Sequence, residues 1–458
     1  MMKKGEVWCK IGFINMDYIM NNFIRPGLGR ASEVWGHAGF QKYFRNTGWM
    51  FGGRVFALLA SLLVSVYIAR NLGPEQYGTL NFIISFVSIV GFTLFVIDSI
   101  LIKKLNEDTE NTDSILGTAL LIKLINAFFT IIVATTIAFI FANTQTTIFL
   151  VLAYSTFTIF QSFNVVDSYF QSKAKNKYVA ITSIFTSLFS SLIKIFIVYQ
   201  GFSIFFLLIS YVIDHVLSSI GFLYIYKKKV GNFFKWKIKK ELLYYFIKKS
   251  WPFTLSAVAA SIYIRIDQLF IKVLLGSEQL GLYVVAVRFS EVWFFISSIV
   301  CASLLPAIFN SQKTSPSIFL ERSKKLYSLL FYTSILICIL IFITAPLIIN
   351  TLYGAEYFGS IFLLRIYIWS IVGVFVNTAL QQFLLVENKF KTILILNVLG
   401  MVISIILNYV FIPIWGSVGS AIANIFAYSL PVLILLMQKG LKDQRKAFLL
   451  AIFKPFSK

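Results

Sequence analysis

Leu72-Gly73-Pro74-Glu75-Gln76-Tyr77-Gly78 returns as Leu275-Gly276-Ser277-Glu278-Gln279-Leu280-Gly281, 203 positions later, with five of the seven residues unchanged. Each copy stands between two long apolar runs. Its first glycine breaks the preceding helix. Pro74 suits the first turn of the next helix, and Glu75 and Glu278 favour a helix amino end. The motif reads as a structural turn, with a gate or substrate contact as the competing reading. Working outward, the apolar runs predict helices at 47–70, 78–102, 114–141, 147–170, 178–199, 203–226, 250–274, 281–309, 323–350, 359–386, 390–412 and 416–437. Membrane strands would alternate over about ten residues, whereas these runs are apolar all round. Six helices on each side of the chain's middle, each set opened by the same turn, make two parallel repeats related by an axis along the membrane normal. The expected fold class is therefore an all-α polytopic membrane protein, with about twelve spans as two six-helix bundles.

Composition agrees. The 458 residues are 58% hydrophobic and only 13% charged, against about a quarter charged in soluble domains. A soluble enzyme, a disordered chain and a secreted disulfide scaffold are excluded. Cys9, Cys301 and Cys338 are far apart and have no metal-ligand spacing, so no metal site is expected. The net charge of +22 is distributed in a telling way. With both termini placed in the cytoplasm, 33 of the 41 Lys and Arg fall in cytoplasmic segments, and only Arg70 and Lys272 fall in external breaks. That is the positive-inside bias at every loop.

The layout expected is a cytoplasmic segment 1–46, a first bundle 47–226, a basic linker 227–249, a second bundle 250–437 and a basic tail 438–458. The linker mixes nine lysines with Phe233, Phe234, Trp236 and Tyr245. Linker and tail both read as amphipathic segments on the inner leaflet, where lipids are the partner. Nucleic acid is not an expected partner of a polytopic protein.

Asn46-Thr47-Gly48-Trp49, Gly53-Arg54 and Ala69-Arg70-Asn71 running into the first motif resemble the polysaccharide repeat-unit flippases. These are the Wzx-type O-antigen translocases of the multidrug/oligosaccharidyl-lipid/polysaccharide exporter superfamily. Asp98-Ser99-Ile100-Leu101 and the turn Leu352-Tyr353-Gly354-Ala355-Glu356-Tyr357 are similar too, and the resemblance covers about residues 46–437. It implies a V-shaped pair of bundles around a central cavity, alternating access, and an undecaprenyl-diphosphate-linked oligosaccharide as substrate. It also implies the bacterial inner membrane, with other polysaccharide assembly proteins nearby. No cofactor is expected, and no nucleotide-binding loop of the G-x-x-x-x-G-K-[ST] type is present in the sequence.

Charges within membrane helices cost at least about 2.5–3.5 kcal/mol each at the centre, so they face a cavity or a partner. The cations are Arg54, Lys123, Lys194, Arg265, Arg288 and Arg365; the anions are Asp98, Asp167, Asp214, Asp267 and Glu291. The six cations are spread from the cytoplasmic to the external side and are candidates for a diphosphate path, since guanidinium offers phosphate a planar fork. Arg288 and Glu291, three apart on one helix, have a simpler reading as a mutual pair. Asp214, Asp267 and Glu291 are candidates for ion coupling. His215 reads as a packing residue. Two other functions compete: a drug or organic-cation exporter, which wants free carboxylates in its cavity, and a membrane glycan polymerase, which wants a large outer loop. The external breaks here are only a few residues each. No catalytic residue is expected, and the chain is expected not to be an enzyme.

Overall fold

A computed structural model describes residues 38–91, 96–141, 144–437 and 441–453. Among them there is no strand. The first half contains α1 (Ala38–Gly91), α2 (Asp98–Glu107), α3 (Thr112–Phe141), α4 (Gln145–Ser172), α5 (Asn176–Tyr199) and α6 (Ile204–Lys229). The second contains α7 (Lys240–Leu275), α8 (Ser277–Glu291), α9 (Phe294–Thr314), α10 (Pro316–Ile348), α11 (Ser360–Val386), α12 (Phe390–Met437) and the terminal α13 (Lys442–Phe453).

Nine helices among the described residues are long and apolar enough to cross a membrane. Two of them are hairpins. Ser65 and Tyr77 are twelve residues apart, roughly 18 Å along a continuous helix, yet their hydroxyls lie 2.7 Å apart. The chain doubles back between them at Gly73, whose φ of 73° suits glycine. The same signature recurs in α12, where Ser420 donates to Asn408 Oδ1 at 2.6 Å across Gly416, φ 60°. With α7 counted as well, the crossing segments among the described residues number twelve, six in each half. The chain is thus an all-α, multi-pass membrane protein of two lobes. Phe139, Phe185, Leu192, Leu336 and Ile343 are all more than 60% exposed, as lipid-facing side chains are.

In the first lobe α1 packs on α5 and α5 on α6; in the second α12 runs along both α7 and α11. The lobes meet through α7, which contacts α1 and α3, with Ser85 donating to Gln268 Oε1 across the lobes, and through α1 and α8 at the end where both motif copies stand. There the last glycine of each copy faces the third residue of the other. A Cβ on Gly78 would lie 1.8 Å from Ser277 O, and one on Gly281 would lie 1.9 Å from Pro74 O. Only glycine permits this approach. Thr79 donates to Ser277 Oγ (3.0 Å), Tyr357 to Ala69 O (2.8 Å) and Arg70 to Thr351 O (3.3 Å), so this end is sealed.

Several elements depart from the sequence reading. The helix expected over 78–102 is not continuous: residues 96–97 are not helical, and α2 starts afresh at Asp98. There Val96 N bonds Thr254 Oγ1 at 3.0 Å, tying the break to α7. The helix expected over 281–309 is interrupted after Glu291. The basic linker is pinned to the first lobe: Lys237 N bonds Asp113 O (3.3 Å), Lys239 N bonds Thr118 Oγ1 (3.1 Å), and the backbone of Lys237 crosses Gly117 too closely for any side chain there. The tail helix α13 docks on α10, burying Ala447, Phe448 and Ala451, with Ser328 and Tyr332 donating to the carbonyls of Ala451 and Ile452. Small residues on α13 permit that approach, and the basic side chains stay at its rim.

Candidate functional site

Four recesses are lined by residues of the first lobe. The first, about 280 Å³, lies among α2, α3 and α4 and is lined by Asp98, Lys123, Asn126, Gln161, Asp167 and Gln171. A second, about 160 Å³, shares Asp167 and Gln171 with it and reaches Ser183. The third, about 320 Å³, lies among α1, α5 and α6 and shares Ser183. The fourth, about 120 Å³, lies between the lobes. It shares Ser61 and Tyr211 with the third, and adds Ser65, Tyr77, Asn81, Arg288 and Glu291. Consecutive recesses share lining residues, so they form a track of adjoining recesses from the α2 end towards the sealed end.

The charges along this track are mostly neutralised in place. Lys123 Nζ is 2.5 Å from Asp98 Oδ1, which also accepts from Ser168 Oγ (3.2 Å). Lys194 pairs with Asp214 and lies over the Tyr211 ring, 4.0 Å from its centroid. Arg265 grips Glu291 with both guanidinium nitrogens, at 3.0 and 3.3 Å. The hairpin at Gly276 brings those two together across α7 and α8. It also takes Glu291 away from Arg288, so the pairing suggested by their helical spacing is not formed.

Arg288 is therefore different. It makes no ion pair with a described residue. Its one hydrogen-bond partner given by the structure is Asn81 Oδ1, 3.3 Å away, which is neutral and belongs to the other lobe. It is half-buried in the inter-lobe recess beside Tyr77 and Tyr211. A guanidinium without a carboxylate at membrane depth is costly unless an anion visits it.

The remaining candidates lie elsewhere. Arg365 donates Nε to Phe342 O (3.1 Å), stacks over that ring, and lines none of the four recesses. The Arg54 side chain lies outside the described residues. Asp267 is wholly buried and accepts three hydrogen bonds, each 2.7 Å: from Tyr283 OH, Asn424 Nδ2 and its neighbour's backbone N–H at Gln268. Ser420 and Asn408 extend that network within the second lobe. His215 packs against the Phe157 ring, 4.7 Å between centroids.

Sequence reasoning passed over the neutral residues of the site: Ser61, Tyr77, Asn81, Tyr211 and the serines of α5. One signal was available. Ser183, Ser187, Ser190, Ser191 and Lys194 recur at helical spacing on an otherwise apolar run.

Two joined helical lobes with a recess between them are an architecture shared with solved membrane transporters. An inward-facing multidrug resistance MATE-family transporter of the MOP superfamily aligns with a TM-score of 0.71 at 15% identity, covering 88% of this chain and 96% of that one. The lipid II flippase MurJ, inward closed, aligns with a TM-score of 0.69 at 17% identity, covering 88% and 90%. A MOP-superfamily transporter from Pyrococcus furiosus, described as having a binding pocket of reverse polarity, aligns with a TM-score of 0.54 at 14% identity, covering 90% and 96%. At such identities the likeness is one of fold. No curated protein matches the sequence. The profile of the family described as polysaccharide biosynthesis protein matches residues 43–312, more than half of the chain, and the chain belongs to that family.

Proposed function

We propose that the protein flips undecaprenyl-diphosphate-linked oligosaccharide repeat units, of O-antigen or a similar surface polysaccharide, from the inner to the outer leaflet of the bacterial inner membrane. One observation carries this reading: Arg288 stands in the inter-lobe recess without an ion pair of its own, because the carboxylate there, Glu291, is taken by Arg265. A diphosphate supplies the missing anion, and the fork of Arg288 fits its oxygens. Lys123, Lys194 and Arg265 contribute as paired cations, and Arg54 and Arg365 complete the proposed set of substrate-binding cations. Family membership supports a role in polysaccharide assembly. The bilayer cost of bare hydroxyls and an unpaired ion, roughly 4–8 kcal/mol per hydroxyl in alkane, is what a polar track removes, while the lipid tail stays in the membrane.

Transport proceeds by alternating access, with the seal at Gly78 and Gly281 as the outer gate. The two lobes follow the division proposed above, bundles 47–226 and 250–437 with the basic linker and termini in the cytoplasm. The carboxylates argue against an organic-cation exporter: Asp98, Asp214 and Glu291 are already paired with cations, and Asp267 is filled by three donors. Asp214, Asp267 and Glu291 remain the candidates for ion coupling.

The test uses purified protein in proteoliposomes with a fluorescent undecaprenyl-diphosphate-linked oligosaccharide. Wild type is expected to move the label across the bilayer faster than empty liposomes, with a response to an imposed pH gradient that Asp214→Asn or Asp267→Asn abolishes. A rate equal to that of empty liposomes would exclude the flippase reading, and an unchanged gradient response in both variants would exclude these two carriers.

A further inference from the structure

We propose that the recess among α1, α5 and α6 is a saccharide subsite, which holds the sugar attached directly to the diphosphate. The inference rests on the flippase reading and adds to it where the head of the substrate lies. The walls are hydroxyls: Ser61 from α1, Ser183, Ser187, Ser190 and Ser191 from α5, and Ser218 from α6. On α5 these serines form one face, while Phe185, Leu188, Phe189 and Leu192 on the opposite face are 44–69% exposed, as lipid-facing residues are.

Small residues at helix contacts often serve only to let backbones approach. Here the helices leave about 320 Å³ open between them, so the serines line a space. Two polar atoms on its wall lack partners. Ser190 is 1% exposed and its Oγ has no hydrogen bond. Asp214 Oδ2 is held by Lys194, but its Oδ1 is buried and unpartnered. Buried polar atoms are normally satisfied, so a donor on α5 and an acceptor on α6 left without partners around one recess point to a ligand that brings both. A sugar hydroxyl donates and accepts at once.

Charge decides which part of the substrate fits. The Lys194–Asp214 pair leaves this recess close to neutral, whereas the adjoining recess holds the unneutralised Arg288. The two share Ser61 and Tyr211 as a common wall. In this reading one extended ligand reaches both across Ser61 and Tyr211, with its anion at Arg288 and its neutral, hydroxyl-rich neighbour among the serines.

The experiment compares binding of undecaprenyl diphosphate alone with binding of the same lipid carrying one N-acetylhexosamine or one hexose. Native mass spectrometry of the full-length protein in nanodiscs reads the ratio of affinities. Wild type is expected to prefer at least one glycosylated lipid by about tenfold. Ser187→Leu fills the recess, and Ser190→Ala removes one hydroxyl at no cost in volume. Each is expected to lower the ratio, Ser187→Leu to near one. A wild-type ratio near one for both sugars, with the carrier bound, overturns the subsite and leaves the flippase reading standing. A ratio unchanged in both variants overturns it as well. Failure of wild type to bind any of the three lipids overturns both readings.

Discussion

Arg265 and Arg288 show how much a residue's meaning depends on which helix lies beside it. Both are guanidiniums in membrane helices, and from the sequence both qualify for a diphosphate. The hairpin at Gly276 assigns Glu291 to Arg265 in a bidentate grip and leaves Arg288 with a neutral amide. Their roles in a mutant series should then diverge. Arg265→Ala strands a mostly buried Glu291, and breaking such a pair costs about 3–5 kcal/mol. Protein level in the membrane is expected to fall, and Glu291→Gln added to Arg265→Ala is expected to restore it. Normal abundance of Arg265→Ala would show that the pair is not structural. The sequence placed these charges at membrane depth, because a lone charge in an apolar run stands out. It could not assign partners, because a separation of 26 residues is bridged only once the hairpin is known. Neutral residues such as Asn81 and Tyr211 carry no comparable signal against a background of similar side chains.

At the scale of elements, the duplicated motif does two jobs with its two glycines. Gly73 and Gly276 turn the chain, with φ of 73° and 92°, and that much follows from the sequence. The reciprocal contact of Gly78 with Ser277 and of Gly281 with Pro74 does not, because it joins segments two hundred residues apart. Gly281→Ala places a methyl group on the Pro74 carbonyl and should hold the sealed end open. The readout is a cysteine at Ser61, in a chain with Cys9, Cys301 and Cys338 replaced, probed by a membrane-impermeant maleimide added outside the cell. Labelling is expected to rise several-fold over the Gly281 parent. Equal labelling would mean that this contact is packing alone. Helix ends were less legible: the break at residues 96–97 and the early start of α7 at Lys240 depend on contacts with Thr254 and the first lobe, which local propensity does not encode.

For the whole molecule, hydropathy and loop charge predict the all-helical class and the count of crossing segments because a bilayer imposes one solution on long apolar runs. Orientation rests on the lysines. A reporter active only outside the cytoplasm should be silent when fused at Lys237 and active when fused after Thr144; strong activity at Lys237 would invert the protein and turn the seal towards the cytoplasm. The central claim is that the inter-lobe recess holds the diphosphate on Arg288. Its most direct measurement is surface polysaccharide, normalised to membrane protein level, in a strain whose own flippase gene is deleted. Arg288→Lys should retain partial export, since the point charge survives without the fork. Arg288→Ala should lose one to two decades, the equivalent of a charge-assisted hydrogen bond of about 1.5–3 kcal/mol, and Arg288→Glu should lose the most. Full export by a normally abundant Arg288→Glu variant would contradict the claim.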